Sequence, residues 1–88
     1  MTSSFRASFK RDLKRIRDER ILAGVRQAVL DLEAAAKWSD VPSINKIKGS
    51  ANAFRIRVDD FRIGLFIEDD DAEFVRVLPR RDIYRKFP

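Results

Sequence analysis

Hydrophobic residues recur every three or four positions in the first part of the chain and every second position from Phe54 onward. This change of period divides the 88 residues into a helical half and a stranded half. Phe9, Leu13 and Ile16 stand at i, i+4 and i+7 behind Ser8, the expected N-cap of a first helix. Ile21, Val25, Ala28, Val29, Leu32 and Ala36 form a second stripe with charges on the opposite side. Only Arg17-Asp18-Glu19-Arg20 separates the two stripes, so they predict an antiparallel helical hairpin. Phe5 and Arg6 fit a short strand before it. The helical pattern ends near Lys37-Trp38, and Pro42 and Gly49 mark an irregular stretch.

In the second half, Phe54, Ile56 and Val58 alternate with Arg55 and Arg57. After Asp59-Asp60, Phe61, Ile63, Leu65 and Ile67 alternate with Arg62, Gly64 and Phe66. This is a hairpin with one buried face and a two-residue turn. An acidic tip, Glu68 to Glu73, leads to a third strand over Phe74 to Leu78, and the tail from Pro79 closes the chain. Consecutive carboxylates at a hairpin end are read as solvated, not as metal ligands. Ile83 and Phe87 are expected to anchor the tail to the core, and Phe66 to pack.

The turn fixes a register: Val58 opposite Phe61, Arg57 opposite Arg62, Ile56 opposite Ile63. Phe54, Ile56, Val58, Phe61, Ile63 and Leu65 then share the face that the helices cover, while Arg57 and Arg62 meet on the other. Like charges across a strand pair are unfavourable, so a chain that keeps them either splays them into water or aims them at an anion. Burying Val75 and Val77 requires Ile67 opposite Val75 and Leu65 opposite Val77, since a one-residue slip would send Arg76 inward. That ladder sets Arg62 opposite Arg80. It predicts a row, Arg57–Arg62–Arg80, with Arg55 and Arg76 as same-face neighbours and Tyr84 beside it. A guanidinium grips phosphate oxygens in pairs and stays charged at any relevant pH.

Composition agrees with that reading and removes others. Nineteen basic against 14 acidic residues leave a net charge of +5, which suits a polyanionic partner. With no cysteine and no histidine, disulfides, Cys/His zinc sites and Ser-His or Cys-His catalysis are excluded. A chain of this length buries only about 60–65% of its unfolded surface, one core's worth, so residues 1–88 are expected to form a single domain. Met1–Arg20 lacks an apolar signal core and nothing is long enough to span a bilayer, so the chain is expected to be cytoplasmic, without a membrane partner.

The helical hairpin, Asn45-Lys46-Ile47-Lys48-Gly49, Phe54 to Ile63, and Arg76-Val77-Leu78-Pro79-Arg80-Arg81-Asp82-Ile83-Tyr84 together resemble the RelE/ParE toxin superfamily over nearly the whole chain. The resemblance implies an α+β fold, two N-terminal helices on a twisted, mostly antiparallel sheet of about four strands. On its RelE side it implies an mRNA interferase: a metal-independent, cofactor-free endoribonuclease acting on mRNA in the ribosomal A site and neutralised in a hetero-oligomer by a cognate antitoxin. The ribose 2′-hydroxyl attacks the adjacent phosphate. Carried over by position, Arg55 and Arg57 are the basic pair of the second strand. Arg62 is the phosphate-stabilising arginine, Arg80 the acid for the leaving group and Tyr84 the substrate-orienting aromatic. Arg57, Arg62, Arg80 and Tyr84 are thus expected to be catalytic, and Arg55, Arg76, Arg81 and Lys48 to bind RNA. The chain departs from the family pattern in having Pro79 where histidine is common and arginine at both basic-strand positions. Arginine is a poor base, leaving Asp82, Tyr84, the ribosome or purely electrostatic catalysis. The alternatives are a ParE-type gyrase poison, or an inactive basic RNA-binding relative.

Overall fold

The computed structural model describes residues 1–88. Strand β1 (Thr2–Phe5) leads into helices α1 (Ala7–Arg15) and α2 (Glu19–Ala34). After a 3-10 turn at Trp38–Asp40 come β2 (Ile44–Lys46), β3 (Ala53–Val58), β4 (Phe61–Glu68), β5 (Asp71–Pro79) and helix α3 (Arg80–Lys86). The five strands form one sheet in the order β1-β5-β4-β3-β2. All pairs are antiparallel except β1–β5.

The α+β reading and the helical hairpin hold. The sheet has five strands, not about four, because β2 adds an edge strand where the chain shows little alternation. β1 pairs through Thr2 to Phe5, not Phe5-Arg6, and β2 falls in the stretch read as irregular. β5 begins at Asp71, inside the acidic tip, after a two-residue turn at Asp69-Asp70. Asp59 and Asp69 open their turns at φ +53° each, a conformation that aspartate tolerates better than most side chains.

α1 packs along β5 and α2 along β3. Their inward residues, Phe9, Ile16, Ile21, Val25, Ala28 and Leu32, close over Phe54, Ile56, Val58, Ile63, Leu65 and Val77. Gly24 allows α2 this approach, since a Cβ there would lie 2.6 Å from a methyl of Val58. Ser8 does not cap α1: its hydroxyl donates to the Val75 carbonyl at 2.6 Å, and Arg6 occupies the cap position without its side chain bonding to the helix end. Asp18 does cap α2, accepting from the Arg20 N–H at 2.9 Å.

The β3–β4 register is as expected, Arg57 facing Arg62. The β4–β5 register is not. Arg62 faces Leu78, Ile63 faces Val77 and Gly64 faces Arg76; beyond an irregularity at Gly64/Leu65, Leu65 faces Phe74 and Ile67 faces Ala72. Val75 is the extra residue, a β-bulge. It is buried with Ala53, Ile83 and Phe87 in a second small core beneath α3, while Phe74 and Ala72 take the inward positions expected of the valines. The expected pairing assumed that every buried valine faced the helical hairpin; α3 gives Val75 a shelter on the other face.

Ile83 and Phe87 do anchor the tail there. Phe87 lies over Gly64, where a Cβ would meet its ring at 2.5 Å, and against Phe66 at 5.1 Å between ring centroids. The acidic tip is tied down by its neighbours: Glu73 takes both arms of Arg6 (2.9 and 3.3 Å), Glu68 accepts from Asn52, and Asp71 accepts from Thr2.

Candidate nucleic-acid site

The outer ends of β3 and β4, with the start of α3, gather Arg55, Arg57, Arg62, Arg80 and Tyr84. Alternation puts Arg55 and Arg57 on the face away from the helical hairpin, between the buried Phe54, Ile56 and Val58. Arg62 lies across from Arg57. Arg80 is not its cross-strand partner, as the registry predicted. It arrives by another route, because its N–H donates to the Asp60 carbonyl at 2.8 Å and so ties the first residue of α3 to the β3–β4 turn. One turn along α3, Tyr84 stands 55% exposed with the Arg55 guanidinium 4.5 Å from its ring centroid, a cation–π contact.

These charges perturb one another. The Tyr84 hydroxyl is held below the usual phenol pKa, first by the Arg80 guanidinium donating towards its oxygen and then by the positive charge of Arg55, Arg80 and Arg62, with desolvation opposing. The Arg62 pKa is lowered, first by burial and then by the like charges of Arg80, Arg57 and Arg55, while Tyr84 acts in the opposite sense. Arg62 is also less free than its neighbours: one Nη donates to the carbonyls of Asp59 (2.9 Å) and Phe61 (2.8 Å), bracing the turn. None of Arg55, Arg57, Arg62, Arg80 and Arg81 has an ion-pair partner. Arg81 lines a shallow hollow with Asp60, Pro79, Arg80 and Tyr84, and Lys48 is exposed in the turn after β2.

Arg76, expected in the same cluster, is withdrawn from it. Its guanidinium makes two bonds to Asp12 of α1, at 2.7 and 3.0 Å, and these raise its pKa. Asp12 is 3% exposed and also accepts the Val77 N–H at 3.0 Å. Since β1 stops pairing at Phe74, β5 has an open edge beyond it; Ser8 and Asp12, one helical turn apart, satisfy the edge groups of Val75 and Val77. Asp12 went unread in the sequence, although its place inside the Phe9–Leu13–Ile16 stripe signalled a carboxylate facing inward. Asp82, a candidate base, is bonded to Arg85 at 3.2 Å. No three His, Cys, Asp or Glu side chains come together as a metal-ligand set, and no helix is long and apolar enough to cross a membrane.

Comparison with known proteins agrees with this architecture. Residues 4–84 match the family of ParE toxins of type II toxin–antitoxin systems. Toxin RelE3 of Methanocaldococcus jannaschii is 35% identical over 85 residues, 96% of each chain. A chain of the RelB–RelE antitoxin–toxin complex from Methanococcus jannaschii superposes with a TM-score of 0.79 at 33% identity, over 96% of this chain and 98% of that one. A chain of the RelBE2 toxin–antitoxin complex from Mycobacterium tuberculosis does so at 0.68 and 25%, over 90% and 96%. The chain belongs to the ParE/RelE family of toxins of type II toxin–antitoxin systems.

Proposed function

We propose that this toxin cuts mRNA in the ribosomal A site and that a cognate antitoxin, bound in a hetero-oligomer, holds it inactive. The observation that carries the reading is the cluster itself: Arg55, Arg57, Arg62 and Arg80 around an exposed tyrosine, none of them neutralised by a carboxylate. The partner follows from the relatives, whose solved structures are antitoxin–toxin complexes.

In the reaction the 2′-oxygen forms a bond to phosphorus and the bond from phosphorus to the 5′-oxygen breaks. Products are a 2′,3′-cyclic phosphate and a 5′-hydroxyl. Negative charge grows on the phosphoryl oxygens, and cations already in place stabilise it without reorganising. Arg57 and Arg62 supply that charge, Arg62 through the guanidinium nitrogens not engaged by the turn carbonyls. Tyr84 is the proton acceptor: its lowered pKa gives it more phenolate character than a free tyrosine, whereas Asp82 is occupied by Arg85. Arg80 has two duties, tuning Tyr84 and donating to the departing 5′-oxygen. In-line displacement places acceptor and donor on opposite sides of phosphorus, so Arg80 tunes Tyr84 in the free toxin and turns from it as substrate enters, leaving the charges of Arg55 and Arg62 to favour the phenolate. Arg55 holds the tyrosine ring, and Arg81 and Lys48 extend the contact to flanking phosphates.

Expression without antitoxin is expected to arrest translation and to leave cuts in A-site codons, mapped by primer extension. The family match, which is to ParE toxins by name, favours a second reading as a DNA gyrase poison. Intact transcripts beside inhibited gyrase supercoiling assign the chain to that reading.

A further inference from the structure

The motif Lys10-Arg11-Asp12-Leu13-Lys14-Arg15 contains one acid among its cations, and in the sequence it looks like a mixed surface. The structure removes the acid. Asp12 turns inward, with its oxygens taken by Arg76 and Val77, so the outer face of α1 carries only positive charge. At 100° per residue, Lys10, Lys14, Arg11 and Arg15 fall within an arc of roughly 140°, opposite Phe9, Asp12 and Leu13. All four are exposed, as is Arg17 just beyond, and none has an ion-pair partner. α2 differs, carrying Glu19, Asp31 and Glu33 among its own cations.

We infer that the outer face of α1 is a second RNA-binding surface, one that docks the phosphate backbone of a double-stranded segment. This rests on the proposed action on ribosome-bound mRNA and names how the toxin would hold the structured RNA around it. Three observations lead there. Lys10 and Lys14 are about 6 Å apart along the axis at 1.5 Å per residue, on the scale of successive phosphates. No aromatic side chain stands among the four cations. Single strands are gripped by stacking bases on aromatic rings, as exposed Tyr84 could do at the cluster, while duplex RNA is bound through backbone and shape. A protein partner would want buried apolar anchors, and those lie on one flank of the arc, in the groove between α1 and α2 that Phe5, Leu13, Leu22, Val29 and Leu30 line and that only Lys10 of the four cations borders.

The test compares wild type with the variant Lys10→Gln/Arg11→Gln/Lys14→Gln/Arg15→Gln; glutamine keeps helix propensity close to that of lysine and arginine, and a melting curve checks the fold. Binding to a mixed-sequence RNA duplex at about 0.15 M salt is expected to fall ten-fold or more. The slope of log affinity against log salt should drop by about three, given 0.7 to 0.9 per phosphate contact. Affinity for an unstructured single strand should fall far less. Arg57→Gln should do the reverse. Unchanged duplex affinity in the four-glutamine variant would overturn the inference, as would a loss confined to binding an acidic protein. If no protein cuts ribosome-bound mRNA while duplex binding still depends on α1, the proposed cleavage fails and the docking surface stands.

Discussion

The two faces of the sheet are built on different scales. The inner face is closed by α1 and α2 over a continuous core of 16 buried residues. The outer face has a cluster of only four buried hydrophobic residues, Ala53, Val75, Ile83 and Phe87, and beside them open arginines. On the inner face a side chain serves stability alone. On the outer face stability and function share one short helix: α3 is held by Ile83 and Phe87 and carries Arg80 and Tyr84. Loosening α3 should therefore remove activity long before it unfolds the chain, while the inner core fails as a whole.

The sharpest break in this comparison comes from the inner core. Phe74→Ala, at a fully buried ring touching Phe5 and Phe9, is expected to cost about 3–5 kcal/mol and to lower the melting temperature of the entire domain. Asp12→Asn comes next. It leaves Arg76 without its counter-ion and weakens the cover of the β5 edge, an expected loss of about 3 kcal/mol in chemical denaturation. Gly64→Ala pushes on the Phe87 ring. It should cost about 1–3 kcal/mol yet reduce cleavage much more than stability, since the displaced tail takes Arg80 and Tyr84 with it. Equal losses from Gly64→Ala and from an inner-face substitution of the same cost would erase the distinction between the faces.

The smallest expected effect on stability is that of Tyr84→Phe, a change at an exposed hydroxyl. Its signature lies in pH. The folded-state pKa of Tyr84 is depressed, so its phenolate, and any stability or activity that depends on it, appears as pH rises through that value and is lost as pH falls back through it. The wild-type cleavage rate should climb towards alkaline pH and level off earlier than a free phenol would. The phenylalanine variant should lack that limb while melting like wild type.

The β3–β4 hairpin was legible in the sequence because two local signals agree: the two-residue turn at Asp59-Asp60 and strict alternation on both sides. That alone places Arg55, Arg57 and Arg62. The β4–β5 register was not legible, because the bulge at Val75 depends on what α3 covers, a tertiary fact invisible to the pleat. Arg80 still reaches Arg62, but through the Asp60 carbonyl and not through strand pairing. Arg76 was misplaced for a related reason: its partner lies 64 positions away on another element. β1 and β2 are held by hydrogen bonds to β5 and β3 rather than by a hydrophobic pattern of their own, so periodicity had little to detect.

The account rests on Arg57 and its neighbours acting on phosphate, and Arg57 tests it more cleanly than Arg62, whose side chain also braces the turn. The decisive measurement is single-turnover cleavage of mRNA on programmed ribosomes by wild type and Arg57→Ala. The prediction is a cut within the A-site codon by wild type, a rate at least about 100-fold lower in the variant, and the same melting temperature for both. A transcript left intact by folded wild-type toxin, or cut equally fast by the variant, would contradict the account.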